Sequence, residues 1–255
     1  MIRLDRVRKR FGAHEVLRGV SLSVRAGSTM ALLGPSGVGK SVLLKTIIGL
    51  LEPDDGEIWA GDLELTGAPA RAAEAVRRTM GYVFQYSALF DSLTVAENIL
   101  LGLDERRWRP DAPATLARLQ ECLRWVNLGP EIGYRYPAEL SGGMQKRVAI
   151  ARAIVAEQRY LLYDEPTSGL DPLNAENIAH LIRRLQRERG VTSIVVTHDF
   201  ELAKYVGDEV AILDGGRIVA DVPTPALDAL DHPMVRASRR WHQELEVGAQ
   251  GGRHA

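Results

Sequence analysis

Apolar positions along this chain follow two rhythms. Short apolar or alternating runs occupy Ile2–Val7, Ser21–Val24 and Met30–Leu33, punctuated by Gly12, Gly19 and Ala26-Gly27, and read as strands and turns. The apolar strand Thr29–Leu33 runs into GPSGVGKS and then into the helical stretch VLLKTIIGLL, which the turn-rich Glu52–Gly56 closes before a strand at Glu57–Trp59. From about residue 88 to 157 apolar residues recur every three or four positions, which predicts helices. Strand and helix then alternate again through Leu161–Tyr163, Asn174–Arg189, Ser193–Thr197 and Val210–Leu213. The pattern predicts an α/β fold with a largely parallel sheet and a helical insertion. In such sheets ligands bind beyond the carboxyl ends of the strands.

Composition narrows the partners. A net charge of −1 over 255 residues gives no global basic field for nucleic acid or an anionic membrane. The single cysteine, Cys122, excludes an internal disulfide and a cysteine-rich metal site. The N-terminal MIRLDRVRKRF lacks the apolar core of a signal peptide, and no window approaches the ~20 apolar residues needed to cross a bilayer. A membrane role is therefore expected to run through a partner.

The loops at the strand ends carry the chemistry. Gly34, Pro35, Ser36, Gly37, Val38, Gly39, Lys40 and Ser41 match the phosphate-loop pattern, with the required strand before and helix after. Gly37 and Gly39 let the backbone curl so that N–H groups face phosphate oxygens, and the following helix adds its positive end. Lys40 brings a full charge to the outer phosphates, and the Ser41 hydroxyl is placed to ligate Mg²⁺. Tyr160–Glu165 is an apolar strand ending in two carboxylates. Asp164 is expected to hold Mg²⁺ and Glu165 to polarise the attacking water. A second such strand, Ser193–Thr197, ends at His198, placed to contact the γ-phosphate as a donor. In LSGGMQ, Ser141 is a candidate N-cap, while Gly142 and Gly143 leave the helix N–H groups open to an anion. Thr94 to Glu97 fits a capping box that starts a helix at Val95.

These motifs, with Gln85 and Ser168-Gly169-Leu170-Asp171, stand in the order and spacing of ABC-type ATP-binding subunits, and the chain resembles that family from about residue 2 to 230. The resemblance implies a P-loop NTPase of ABC type: a RecA-like core, an N-terminal antiparallel β subdomain and an inserted α-helical subdomain. Residues 1–235 would form the ATP-binding domain, with 88–157 inserted, and 236–255 a tail expected to be partly disordered. It also implies a head-to-tail homodimer around ATP and Mg²⁺. There Ser141, Gly142 and Gly143 of one subunit complete the site on Lys40 of the other, and Asp171 lies at the seam. The nucleotide would be held by residues 34 to 41 and Val42, with Phe11 either stacked on adenine or packed in the core. Gln85 would sense Mg²⁺ or the attacking water, joining Lys40, Glu165 and His198 in hydrolysis.

The resemblance gives Ala88, Leu89 and Phe90 a groove for a short helix of a membrane permease; packing the insertion onto the core is the other reading. The expected location is the cytoplasmic face of the inner membrane, peripheral, attached through the permease only. At a finer level GPSGVGKSVLLK, ALFDSLTVAENI and YDEPTSGLDP are similar to Mce/Mla-type lipid-transport ATPases, with Asp91-Ser92 and the Ser41–Lys45 run tilting the choice, and imply an Mce-type lipid-binding component. The alternative is the ATPase of another importer, for an amino acid or other small solute. Non-transport ABC ATPases fit less well, since only about a hundred residues separate Lys40 from Ser141 and leave no room for a long coiled coil. The stretch Ala220–Pro225 lacks the family's usual glycine before its Thr-Pro. Arg106–Pro110 reads as a solvated loop.

Overall fold

The computed structural model describes residues 1–103 and 112–240. Strands β1 (Ile2–Phe11), β2 (His14–Val24), β4 (Asp55–Ala60) and β5 (Leu63–Glu64) form an antiparallel sheet in the order β2-β1-β4-β5. Strands β3 (Thr29–Leu33), β6 (Met80–Val83), β7 (Tyr160–Asp164), β8 (Thr192–Thr197), β9 (Glu209–Asp214) and β10 (Arg217–Pro223) form a second sheet in the order β10-β9-β3-β8-β7-β6. The strands from β9 to β6 in that order run parallel, and β10 returns antiparallel along β9. The helices of the core include α1 (Lys40–Ile47), α2 (Ala70–Arg77), α3 (Val95–Leu100), α4 (Pro113–Trp125), α5 (Gly142–Ile154), α6 (Pro172–Arg189) and α7 (Phe200–Val206).

The parallel strands are apolar throughout because both faces are covered. Along β7 the side chains alternate between two cores. Tyr160 and Leu162 join α1 and the antiparallel sheet through Leu43, Leu44, Val20 and Ile58. Leu161 and Tyr163 join the helical side through Ile99, Val148, Ile178 and Ile182. Burying one such large apolar side chain contributes about 1.5–3 kcal/mol, so the central sheet is a stiff platform for the loops at its ends.

Two local outcomes differ from the sequence pattern, and a third extends it. The helix after the phosphate loop stops at Ile47 rather than running to Leu51. Gly49 adopts φ +78°, and the N–H groups of Gly49 and Leu50 return to the carbonyls of Thr46 and Lys45 at 3.1 and 2.9 Å, a Schellman ending. Helix α2 and strand β5 lie where no periodic pattern pointed to them. Residues 233–240 are helical with Val235 fully buried, so the segment from 236 begins as ordered helix. The rest of that tail, like Arg106–Pro110, lies outside the described residues.

The antiparallel sheet is tied to the phosphate-loop edge of the core at Val16. A Cβ at Gly39 would come within 2.8 Å of Val16 Cγ1, and one at Gly216 within 2.4 Å of the Val16 carbonyl oxygen. The Arg18 N–H donates to the Gly216 carbonyl at 2.8 Å beside them. Two glycines thus let three segments meet on one residue.

Candidate functional site

The parallel register brings the ends of β3, β6, β7 and β8 to one edge, where the loops 34–41, 84–90, 164–168 and 198–199 emerge. Gly37 and Gly39 have φ of +80° and +111°, backbone that L side chains rarely adopt, and the position of a Cβ on Gly37 is open space. Lys40 is buried, and its ammonium donates to the carbonyls of Gly34 and Pro35 at 2.7 and 3.1 Å. It also pairs with Glu165 Oε1 at 3.3 Å, with both side chains about nine-tenths buried. Glu165 Oε2 in turn hydrogen-bonds His198 Nδ1 at 2.9 Å, and His198 is more than half exposed. Glu165 reaches this position from a left-handed backbone, φ +44°, at the first residue past β7.

Beside this chain lies a second. The Ser41 hydroxyl donates to Asp164 Oδ1 at 2.7 Å, and the Tyr82 hydroxyl donates to Oδ2 at 2.9 Å. Burial, then the Asp164 charge, pushes the Tyr82 phenol far above its usual pKa, so it stays a donor. A hydroxyl and a carboxylate in contact form a hard oxygen pair suited to Mg²⁺, and an open glycine cradle beside a buried ammonium suits phosphate. The residues present therefore fit a nucleotide phosphate with its metal.

The other expected residues fall in more varied places. Gln85 lies two residues past β6, and its amide donates to Ser168 Oγ in a long contact of 3.4 Å. Val38 and Val42 pack against the core beneath the loop, whereas Pro35 and Ser36 are exposed. Phe11, at the end of β1, is 48% exposed with Lys9 Nζ 5.7 Å from its ring centre, which removes the core-packing reading. Ser141 caps α5 by accepting from the Met144 N–H at 3.3 Å, and Gly142 is exposed beside it. Gly143 has an intramolecular reason to be glycine: a Cβ there would come within 3.1 Å of the Asn174 Cβ, and closer still to its amide. Asp171 caps α6, accepting from the N–H and side-chain amide of Asn174 at 2.9 and 2.6 Å. Those bonds hold its carboxyl below the usual range.

In the 84–93 loop the apolar residues divide. Leu89 packs against the helical core, while Ala88 is exposed and Phe90 is 57% exposed. The loop is pinned by Asn98, fully buried on α3, which accepts from the Phe90 N–H at 2.8 Å and donates to the carbonyls of Phe90, Leu93 and Thr94 at 3.0 Å. The capping box at Thr94 and Glu97 is formed, and α3 starts at Val95. Sequence reasoning missed Tyr82, Lys146, Arg152 and Asn98. Lys146 and Arg152 left only a faint signal, cations within the helical stretch that follows LSGGMQ.

Fold and site together define an ATP-binding cassette. The chain belongs to the ABC transporter family, whose model matches residues 17–168. It is 44% identical over 232 residues to a sulfate/thiosulfate import ATP-binding protein, CysA, of Gloeobacter violaceus, covering 91% of this chain and 64% of that protein. It is 40% identical over 235 residues to a methionine import ATP-binding protein, MetN, of Caulobacter vibrioides, covering 92% and 69%. This chain thus spans just under two thirds of the length of the sulfate relative. A dimeric ATP-binding cassette solved in a post-hydrolysis state with ADP and Pi superposes with a TM-score of 0.78 at 32% identity, covering 88% of this chain and 99% of that one. The relatives are named as importer proteins, which departs from the lipid-transport expectation.

Proposed function

We propose that this chain is the ATP-hydrolysing subunit of an ABC importer, working as a homodimer beneath membrane permease subunits. The observation that carries the reading is the pairing, at one sheet edge, of Lys40 with Glu165 and of Ser41 with Asp164. The glycine cradle and Lys40 would bind the phosphates. Bound Mg²⁺, held by Ser41 and Asp164 with Gln85 nearby, would neutralise charge on the transferring phosphoryl group. Glu165 accepts the proton of the attacking water, His198 orients Glu165 and donates toward the γ-phosphate, and Phe11 offers an exposed face to the base. The exposed N-terminus of α5 at Ser141 and Gly142, with Asp171 joined to it through Asn174 packed on Gly143, supports a shared site across a two-fold axis, and the ADP-bound relative is itself dimeric.

Exposed Phe90 and Ala88, beside Tyr86 at 87% exposure, support a permease contact in the 84–93 loop. No helix among the described residues is long and apolar enough to cross a membrane, which suits attachment through that permease at the cytoplasmic face. A small solute is the better-supported cargo class, because the relatives are sulfate and methionine import proteins. The lipid reading rested on motif similarity, and the relatives carry importer names instead. The test is to purify the complex through this subunit and identify its proteins and bound small molecules by mass spectrometry. A solute-binding protein supports the importer reading, and a lipid-binding Mce component overturns it.

A further inference from the structure

The loop 84–90 is irregular backbone next to the nucleotide edge, and its carbonyls need donors. Four of them are served from one helix. Lys146 Nζ donates to the carbonyls of Phe84 and Gln85 at 3.0 and 2.6 Å. The Arg152 guanidinium donates to the carbonyls of Ser87 and Ala88 at 2.8 and 2.7 Å. Lys146 is only 2% exposed, and a buried ammonium is costly unless it is bonded. Burial pulls its pKa down to about 8, opposed by the Asp164 charge, and lowers that of Arg152 as well. Both cations lie on α5, six residues apart, which is a rise of about 9 Å. The loop turns tightly here, with the Ser87 N–H reaching the Phe84 carbonyl at 3.3 Å, and the four side-chain bonds tie that turn to α5. Ser87 and Ala88 both take φ +48°, a left-handed conformation that neither favours and that the Arg152 contact holds.

We propose that Lys146 and Arg152 are positioning residues that lock the 84–88 loop onto α5, so that Gln85 at one end and Phe90 at the other move with this helix as one body. The proposal rests on the ATPase reading above and deepens it. Ser141 and Gly142 at the N-terminus of α5 sit where a partner's nucleotide would act, and the locked loop carries that displacement to the exposed apolar patch. Neither cation touches the reacting groups; each acts through the loop it holds. Asn98 fixes the far end of the same loop to α3, so the bracket is closed at both ends.

The test compares the full chain with Lys146→Met, Lys146→Arg and Arg152→Met. Hydrogen–deuterium exchange of residues 84–90 is read with and without ATPγS, and ATP hydrolysis is measured with Mg²⁺. Both Met variants are expected to exchange the loop at least about tenfold faster while α5 stays protected. Their kcat should fall at least about tenfold with KM for ATP within about threefold, and Lys146→Arg should restore both readings. ATPγS should alter exchange near Phe90 in the wild type and fail to do so in the Met variants. Unchanged loop exchange and unchanged kcat in both Met variants overturn the inference. Should a Met variant lose α5 protection, Lys146→Gln, which keeps a donor of similar length, decides between the two outcomes by the same readings. A wild-type chain that does not hydrolyse ATP defeats the proposed function alone, because loop exchange without nucleotide still decides the inference.

Discussion

Replacing Glu165 by Gln keeps the side-chain volume and removes its charge at a position 10% exposed. In the wild type the carboxylate holds Lys40 Nζ at 3.3 Å and His198 Nδ1 at 2.9 Å. Nucleotide phosphates must take Lys40 away from that carboxylate. A hydrogen bond to a charged group contributes about 1.5–3 kcal/mol and a neutral one about 0.5–1.5. The substitution therefore lightens the competition by roughly 1–1.5 kcal/mol, on the order of 5- to 10-fold in ATP affinity. Turnover moves the other way, since losing a general base costs about 10²–10⁴-fold. Equilibrium titration with a fluorescent ATP analogue and steady-state phosphate release measure the two effects on the same preparation. A variant that hydrolyses ATP at more than about a third of the wild-type rate would refute the general-base role. One that binds ATP more weakly than the wild type would refute the competition between Glu165 and phosphate for Lys40.

Ser41→Ala deletes the hydroxyl that contacts Asp164 at 2.7 Å, and the Mg²⁺ concentration for half-maximal hydrolysis should rise on the order of tenfold or more. Phe90→Asp changes a side chain 57% exposed, so denaturant stability should shift by no more than about 0.5 kcal/mol while permease capture is lost. Asn98→Ala leaves a buried N–H and carbonyls without their partner, and should cost on the order of 3 kcal/mol in the same denaturation assay. Gly143→Ala should destabilise the chain by about 1–3 kcal/mol even without nucleotide, because the new methyl meets Asn174 within the same subunit.

The phosphate loop, the Asp164-Glu165 pair and His198 were legible because each is a contiguous strand-to-loop transition, and the parallel sheet alone brings such transitions to one edge. What the sequence hides are partners far apart along the chain. Tyr82 meets Asp164 across 82 residues, and Lys146 meets Gln85 across 61. No local pattern encodes either contact. Gly143 shows a related limit. Two glycines at a helix start suggested an anion, and only the approach of α6 reveals a packing demand at the second of them. Gln85 lies on the expected loop, and its contact with Ser168, 83 residues away, is of the same hidden kind. The apolar pair in that loop split for a reason that periodicity cannot supply: Leu89 faces the helical core, and Phe90 faces outward.

The meeting of Gly39 and Gly216 on Val16 bears on which nucleotides the site accepts. Through β2 and its hairpin partner β1, that junction sets the spacing between the phosphate cradle and the exposed Phe11 ring. A phenyl face carries no donor or acceptor with which to read the edge of a base. If the base stacks on Phe11 as proposed, the ring would tolerate any purine, so GTP should replace ATP here with little loss.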